Sequence, residues 1–382
     1  MASGSINLGR ALSTAAMLAL LAGCSGGYSG PAIPATNSGA SGQSVSRSFI
    51  PHFRLIDALG GRLQPPSNTL RFYNPEPFDP ASITNGVYGA NYGNAGGNQL
   101  GGYFNLYKLP GSSGSKPVCA KGGLNKVAEI NGISVDSTGT LWVPGLVPTN
   151  LNKGIVLSFN KNTCTEAAAK LTETTGEPAD IAFATTGTRY VMDIVIFPAM
   201  TNGQIEIYPK GKTSPTSTLQ LPGEQVGTGA SQGLGLGVAT DAKNNVYATY
   251  INKNGGSDIT EFAGGKGSGK ILQTGSGTFY EGMTFDGSGN LVVATDTSSG
   301  ATIDVFKPPF TGTPKTFAAQ GSVVDLKLDP AGANLYVGDA TNNTIDVYKY
   351  PSGTYEYSIV VTTVAPNGAV VEGVAVDPSD NN

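Results

Sequence analysis

The stretch Val324–Gly353, VDLKLDPAGANLYVGDATNNTIDVYKYPSG, predicts three short β-strands and the turns between them. Leu326–Leu328, which is apolar with one polar interruption, and Leu335–Val337 are separated by DPAG, a turn sequence with proline at its second position. Ile345–Tyr348 follows a polar loop and is rich in β-branched and aromatic residues, as strands are. Three such strands cannot bury both of their faces, so this stretch needs neighbours of the same kind.

The same unit recurs along the chain. The residue that ends its first strand, usually aspartate, falls at Asp136, Ala184, Asp241, Asp286, Asp329 and Asp377. An aromatic residue that closes its third strand falls at Tyr107, Phe159, Tyr208, Phe262, Phe306 and Tyr348. A fourth segment with apolar residues follows, as at 217–221, 270–273 and 356–361. Four antiparallel strands repeated about every 50 residues are typical of the blades of a β-propeller.

The two ends of the repeat region predict how the ring of blades closes. The last unit contains only its first strand, Gly373–Val376, whereas the first repeat-like segment lacks a first strand. Val87–Gly89 and Tyr103–Lys108 match the second and third strands of the stretch quoted above. We therefore expect the C-terminal strand to complete a blade with three N-terminal strands. The prediction is an all-β, six-bladed β-propeller over residues 82–382, with four antiparallel strands in each blade and no exposed end strand in the ring.

The turn sequences DSTG, DGSG and DPAG, each followed by a short apolar and aromatic strand, resemble those of six-bladed propellers built from NHL repeats. The resemblance covers most of residues 82–382 and is clear in at least five units. The unit at Ala184 departs from the pattern, and the longer spacing after it indicates an insertion around Pro222–Gly235. The GLGLG segment at 233–237 is interpreted as a loop before a strand.

Composition indicates an exported all-β protein and argues against several other classes. Of the 382 residues, 39% are apolar, 13% are charged and 54 are glycine, which suits a packed chain with many turns. The low charge argues against a highly charged disordered chain. A net charge of −4 without a basic cluster predicts that nucleic acid is not a partner. We expect a monomer.

The N-terminal segment predicts export and lipid attachment. Arg10 precedes the apolar run Ala11–Leu21, which is shorter than the roughly 20 residues of a transmembrane helix and fits an export signal over residues 1–23. The run ends in LAGC, which resembles the lipobox of bacterial lipoproteins and implies that Cys24 carries acyl chains. A buried cysteine after an ordinary export signal is the alternative interpretation.

Residues 24–81 are predicted to join the lipid anchor to the propeller. Ser25 resembles the residue that follows the acylated cysteine in lipoproteins sorted to the outer membrane of a double-membraned bacterium. Residues 25–46 are mostly Gly, Ser, Ala, Pro and Asn, and we expect a flexible linker there. No structure is predicted for residues 47–81.

Two further cysteines, Cys119 and Cys164, form an even pair in a chain that we expect to be exported. Cys119 falls in the predicted outer strand of the closing blade, and Cys164 follows the third strand of the next blade. A disulfide between neighbouring blades and two separate buried thiols both fit the sequence.

The sequence gives little support for nucleophilic catalysis, because His52 is its only histidine and lies before the repeats. Polar residues do recur five positions before the repeat aspartate, where first strands should line the mouth of the central channel. They are Asn131, Glu281 and Glu372, and Asp180 and Asp325 lie one residue later in two other units. Oxygen ligands that converge on one axis suit a divalent cation such as Ca²⁺. Polar residues lining a water-filled channel are the alternative.

The Glu-Gly and Asn-Gly pairs also resemble those of the gluconolactonase and regucalcin-like family, which is grouped with calcium-dependent phosphotriesterases. The resemblance implies that Glu281 or Glu372 would be the acidic ligands and Asn131 the amide ligand of one metal. The chain departs from the family by lacking a proline after Glu-Gly and a second Asn-Asp-Gly motif.

Two main hypotheses for the function follow from these patterns, and a structural envelope protein that works through its edges is a third possibility. The first is a lipid-anchored binding or scaffolding module for an unknown protein, glycan or small molecule, since loops on a rigid ring commonly serve recognition. The second is a metal-dependent lactonase or esterase with an axial site, in which the metal would polarise a carbonyl or activate water.

Overall fold

The computed structural model describes residues 85–91, 103–121, 127, 130–147, 150–161, 163–172, 176–196, 203–222, 235–252, 256–361 and 371–377. The predicted export signal, Cys24, the linker and most of the predicted insertion lie outside the described residues. Within the described part of the chain, no helix has the length and apolar character needed to cross a membrane.

The described residues form twenty-four β-strands. The first twelve are β1 (Gly86–Asn91), β2 (Tyr103–Lys108), β3 (Cys119–Lys121), β4 (Ser134–Val135), β5 (Leu141–Val147), β6 (Asn150–Phe159), β7 (Glu166–Thr172), β8 (Gly176–Phe183), β9 (Arg189–Ile196), β10 (Gln204–Tyr208), β11 (Ser217–Gln220) and β12 (Gly235–Thr240). The other twelve are β13 (Val246–Ile251), β14 (Ser257–Phe262), β15 (Lys270–Thr274), β16 (Thr278–Phe285), β17 (Leu291–Thr297), β18 (Gly300–Phe306), β19 (Lys315–Ala318), β20 (Val323–Leu328), β21 (Asn334–Asp339), β22 (Thr344–Lys349), β23 (Thr354–Val360) and β24 (Val371–Asp377).

These strands form six four-stranded antiparallel sheets, which are the blades of a propeller. Blade 1 contains β24, β1, β2 and β3, and blades 2 to 6 each contain four consecutive strands, starting with β4–β7 and ending with β20–β23. The first strands β4, β8, β12, β16, β20 and β24 contact one another in a closed ring. The predicted fold class is therefore confirmed.

The ring closes through the C-terminal strand, as the sequence predicts. Tyr88 in β1 pairs with Ala375 in β24, and on its other side with Leu106 in β2. Because β24 supplies the first strand that the N-terminal segment lacks, blade 1 has the same four strands as the other blades. No blade is left with an unpaired inner strand.

Apolar residues pack between neighbouring blades and form the core. The recurring aromatic residue of the third strand is almost completely buried in every blade, which explains why it recurs: Tyr107, Phe159, Tyr208, Phe262, Phe306 and Tyr348. Between blades 1 and 2, the ring of Phe104 lies edge-on to that of Phe159, with 4.7 Å between centroids. Such contacts add to the hydrophobic gain from burial and hold adjacent blades together.

The repeat aspartate closes the turn between the first and second strands of a blade. In blade 5, Asp286 Oδ1 accepts hydrogen bonds from the backbone N–H groups of Ser288 (2.9 Å) and Asn290 (2.8 Å). In blade 3, Ala184 has no carboxylate, but its backbone carbonyl accepts a hydrogen bond from Gly187 N–H at 2.8 Å. The turn therefore forms without the aspartate, and this unit departs from the repeat pattern without losing its blade.

One local prediction is wrong. The end of the GLGLG segment is not a loop, because Gly235–Thr240 forms the first strand of blade 4. A Cβ atom on Gly237 would come within 2.8 Å of the carbonyl oxygen of Glu281 in blade 5. Glycine is needed there because two backbones approach each other closely.

Cys119 and Cys164 are joined by a disulfide in this structure, with their Cα atoms 6.1 Å apart. The bond connects β3 of blade 1 to the segment that follows β6 of blade 2. Both cysteines lie against the apolar cluster between these blades, which includes Phe104 and Phe159. The covalent bond therefore reinforces an interface of the blade that contains β24.

Candidate functional site

The predicted polar residues of the channel mouth lie where the first strands depart from regular pairing. Five first strands carry a register shift there, so that one strand has an extra residue opposite its neighbour. The bulged segments contain Ala179, Leu236, Glu281, Val324 and Glu372. Such bulges remove backbone groups from the ladder of hydrogen bonds and are frequent beside functional sites.

The residue that follows each predicted ligand position defines what we call the axial ring. Its six members are Gly132, Asp180, Gly237, Gly282, Asp325 and Gly373. The two aspartates belong to blades 3 and 6, which lie on opposite sides of a six-membered ring, and both are buried. Four glycines and two aspartates at equivalent positions indicate that the carboxylates occupy space that the glycines leave free.

Asp180 bridges blades 2, 3 and 4. Its Oδ2 accepts a hydrogen bond from the N–H of Val238 in blade 4 at 2.9 Å, and its Oδ1 accepts one from Ile181 N–H at 2.8 Å. On the other side, a Cβ atom on Gly132 of blade 2 would lie 2.5 Å from Asp180 Oδ1. The carboxylate therefore satisfies backbone donors that the bulges release and fits only beside a glycine.

Asp325 repeats this arrangement in blades 5, 6 and 1. Its Oδ2 accepts a hydrogen bond from the N–H of Val374 in blade 1 at 2.9 Å, and its Oδ1 accepts one from Leu326 N–H at 2.8 Å. A Cβ atom on Gly282 of blade 5 would lie 2.5 Å from Asp325 Oδ1. Between them, the two aspartates contact all six blades.

Lys327 places a positive charge among these carboxylates. This residue was not among the site residues predicted from the sequence. It is fully buried, and its Nζ lies 3.0 Å from Asp325 Oδ1. Burial raises the pKa of Asp180 to about 6, while the charge of Lys327 lowers it and that of Asp325 raises it. The ammonium group therefore acts on both aspartates.

A signal for Lys327 was present in the sequence. Residues two apart on a strand point to the same face, so Lys327 follows Asp325 on the axial side of β20. The equivalent residues of the other first strands are small: Ser134, Ala182, Ala239, Thr284 and Ala375. One lysine among five small residues indicates a side chain that fills the centre of the ring.

Asn131, Glu281 and Glu372 are buried, as expected for positions near the axis. Asn131 and Glu372 belong to neighbouring blades 2 and 1, and a Cβ atom on Gly373 would lie 2.4 Å from the carbonyl oxygen of Asn131. Glu281 belongs to blade 5. In the described ranges, no group of three or more acidic, histidine or cysteine side chains has the spacing of a metal site. The metal site at these three residues stays a prediction. Asp180 and Asp325, the other two predicted ligands, already accept hydrogen bonds from backbone N–H groups.

A second candidate site is a cleft of about 910 Å³ between blades 5 and 6, which we call the blade 5–6 cleft. It is formed by four connections: the turns after β16, β20 and β22 and the loop after β18. Its lining is Asp286, Gly287, Ser288, Asn290, Val305, Lys307, Pro308, Pro309, Thr311, Gly312, Thr313, Pro314, Lys315, Ala331, Gly332, Tyr350 and Pro351.

The single carboxylate of the cleft lining is fully engaged by the protein. Asp286 Oδ2 accepts hydrogen bonds from Tyr350 OH at 2.7 Å and Asn290 Nδ2 at 2.8 Å, in addition to the two backbone bonds on Oδ1. Burial raises the pKa of Asp286, but these hydrogen bonds outweigh it and hold the pKa below its usual value. Asp286 is therefore ionised at neutral pH and holds the two sides of the cleft together.

The loop after β18 is held in place by hydrogen bonds from a glutamine side chain and by packing of aromatic rings. Gln273 Nε2 donates hydrogen bonds to the carbonyl oxygens of Phe310 (2.6 Å) and Gly312 (3.2 Å). The ring of Phe310 packs edge-on against Tyr247 and Phe285, at centroid distances of 5.5 and 6.0 Å. Four prolines of the lining further restrict the backbone. The cleft is thus a preformed concave surface.

Comparison with known proteins supports the fold but does not indicate a function. No protein-family model and no curated protein matches this chain. Solved structures do match: a chain in the crystal structure of a nidogen/laminin complex is 16% identical, aligns with 76% of this chain over 98% of its own length, and has a TM-score of 0.54. At this identity the similarity shows a β-propeller fold alone. These comparisons confirm neither the NHL-repeat nor the gluconolactonase resemblance.

Proposed function

We propose that this protein is a lipid-anchored protein of the bacterial cell envelope whose propeller binds a ligand in the blade 5–6 cleft. The observation that carries the proposal is the cleft itself, an open and preformed cavity lined by both polar and apolar groups. Its volume lies within the range of about 300–1,000 Å³ that is usual for ligand sites. Scaffolding then means that the ring holds the bound ligand at the membrane.

The axial ring is less suited to binding a ligand than the cleft is, which supports this assignment. Its two carboxylates accept hydrogen bonds from backbone N–H groups of neighbouring blades, and Asp325 also binds Lys327, so both already have partners within the protein. The cleft, in comparison, presents lysine and hydroxyl side chains to solvent. The propeller of the nidogen/laminin structure occurs in a complex of two proteins, but fold-level similarity is only an analogy for function.

The lipid anchor rests on the sequence LAGC alone, and a labelling experiment tests it. Cells of a double-membraned bacterium expressing the full chain are fed an alkyne-tagged fatty acid. We expect the label on the wild-type protein in the outer-membrane fraction and its loss in Cys24→Ala. Equal labelling of both chains would contradict acylation at Cys24, and label in the inner-membrane fraction would contradict the sorting assignment.

Photo-crosslinking tests binding in the cleft without knowledge of the ligand. A photoreactive amino acid replaces Ala331, an exposed residue of the cleft lining, and in a matched control it replaces Ala263, an exposed alanine of blade 4. On illumination of intact cells we expect adducts from position 331 that are absent from position 263. No difference between the two positions would overturn the cleft as a binding site.

The metal-dependent hydrolase is the alternative function. It rests on the sequence resemblance of Asn131, Glu281 and Glu372, and calcium titration tests it, as described in the Discussion.

A further inference from the structure

We infer that the ligand of the blade 5–6 cleft is an acidic oligosaccharide, a chain of a few sugar rings carrying carboxylate or sulfate groups. This inference rests on the proposed function of the cleft and specifies the chemistry of its ligand.

The charge of the cleft calls for an anion. Its charged lining residues are Lys307, Lys315 and Asp286. Four hydrogen bonds from the protein already engage Asp286, so this carboxylate is not available to a ligand. Lys315 Nζ donates to the neutral carbonyl oxygen of Pro351 at 2.8 Å, which leaves its charge uncompensated and two of its N–H groups for other acceptors. The cleft is thus locally positive in a chain of net charge −4.

The lining of the cleft suits sugar rings. Ser288, Thr311 and Thr313 provide hydroxyl groups, which both donate and accept hydrogen bonds and so match the hydroxyl groups of a sugar. The prolines and the ring of Tyr350 provide flat apolar surfaces for the C–H faces of the same rings. Large aliphatic side chains, which a lipid would require, are represented in the lining by Val305 alone.

The geometry favours a saccharide over an acidic peptide. Peptides are usually bound by addition to a strand edge, by an apolar groove that holds a helix, or by an aromatic groove that holds a proline-rich segment. Apart from Val305 and Lys315, the cleft lining lies in turns and loops rather than strands. A cavity of about 910 Å³ also encloses a short branched or bent molecule more readily than an extended chain.

The rigidity of the cleft compensates for the weakness of single sugar contacts. The hydrogen bonds from Gln273 and the packing of Phe310 fix the loop that carries Lys307 and leads into Lys315. A preformed site avoids the loss of conformational entropy that loop ordering would impose on binding.

Calorimetric titration of the full-length protein in detergent tests the inference. The probes are tetragalacturonate, a heparin-derived tetrasaccharide and sialyllactose, with maltotetraose as the neutral saccharide and tetraglutamate as the acidic peptide. We expect at least one acidic saccharide to bind, with affinity that falls as salt rises, and no heat from maltotetraose.

Variants locate the site. We expect Lys307→Gln and Lys315→Gln each to weaken binding of that acidic saccharide about tenfold or more, since each removes a charged hydrogen-bond donor. The matched control, Lys243→Gln with Lys266→Gln, changes two exposed lysines of blade 4 and should leave binding unchanged. Thermal unfolding of all variants shows whether folding is preserved.

Other outcomes overturn the inference in distinguishable ways. Tighter binding of tetraglutamate than of every acidic saccharide would show that the ligand is a peptide, and equal binding of maltotetraose would remove the requirement for charge. If no saccharide binds while crosslinking at position 331 persists, the ligand class is wrong and the proposed function stands. If crosslinking at position 331 is also absent, both fail.

Discussion

Lysine and aspartate occur both at the axial ring with its neighbour Lys327 and in the blade 5–6 cleft, but the two places use their lysines in opposite ways. At the axis, Lys327 and Asp325 are buried and bind each other, and Asp180 and Asp325 bind backbone N–H groups of neighbouring blades. In the cleft, Lys307 and Lys315 are exposed to solvent. The buried lysine at the axis already has a partner within the protein, whereas the exposed lysines of the cleft can bind a ligand.

The largest effect is expected at the axis, from Lys327→Met. The variant leaves the two buried carboxylates without their cation, and breaking a buried ion pair typically costs about 3–5 kcal/mol. Thermal and denaturant unfolding measure the loss. If calcium restores stability to the variant but has no effect on the wild type, Lys327 holds the place that a divalent cation could take. Unfolding identical to that of the wild type would contradict the role given to Lys327.

The next effect concerns the covalent link between blades 1 and 2. Replacing both Cys119 and Cys164 with serine opens a loop of 45 residues. The chain-entropy model of disulfides gives a loss of roughly 3–4 kcal/mol for a loop of this size. Unfolding of this double variant, and of the wild type with and without reductant, measures it. Reductant should lower the unfolding temperature of the wild type but not of the double variant, and an effect on both would assign the change to something other than this disulfide.

A pH-dependent effect is expected from Asp180. Its pKa in the folded protein is raised from 3.8 to about 6, chiefly by burial. Between these values the folded state binds more protons than the unfolded state, so the contribution of this group to stability falls as pH rises from about 4 to 6. The expected loss is on the order of 2–3 kcal/mol. Asp180→Asn should show a smaller fall than the wild type over this range, and parallel pH profiles would contradict the shift.

Calcium titration then decides whether the polar residues at the axis form a metal site or only line the channel. Because Lys327 already supplies a positive charge at the ring, we expect no calcium-dependent heat from the wild-type protein. A heat that disappears in both Glu281→Gln and Glu372→Gln, with folding intact, would instead establish the predicted metal site. It would also make hydrolysis of a lactone or ester the activity to assay.

The smallest effect on stability is expected from variants of the cleft. Lys307→Gln and Lys315→Gln should change the free energy of unfolding by less than about 0.5 kcal/mol, since exposed lysines away from buried networks contribute little. A larger loss would mean that these lysines serve the fold, as Lys327 does, and would weaken the case for a binding site.

The fold was predictable because each blade repeats local signals. Turn sequences such as DGSG, aromatic residues such as Tyr348 and the incomplete unit at the C-terminus together indicate the number of blades and the way the ring closes. The segment at 233–237 was misread because glycines suggest a loop, whereas Gly237 serves a close approach between two strands.

The sites were less predictable because they depend on side chains from several blades. Spacing located the axial position and pointed to Asp180 and Asp325, but the pairing of Asp325 with Lys327 requires knowing which strand faces which. No sequence motif indicated the presence of the cleft. Its four connections look ordinary in sequence, and only the neighbouring positions of Asp286 and Tyr350, far apart in the chain, bring them together.

The pairing of β24 with β1 also determines the order in which the protein can be assembled. Blades 2 to 6 lie between these strands in the chain, so the first blade stays incomplete until the last one has been synthesised. Val374, the backbone donor to Asp325, arrives with the same strand. A prematurely terminated product would therefore lack both the closing strand and one axial hydrogen bond, and it would expose an unpaired edge to proteases. Closure of the ring therefore requires that blades 2 to 6 and β24 have all been synthesised.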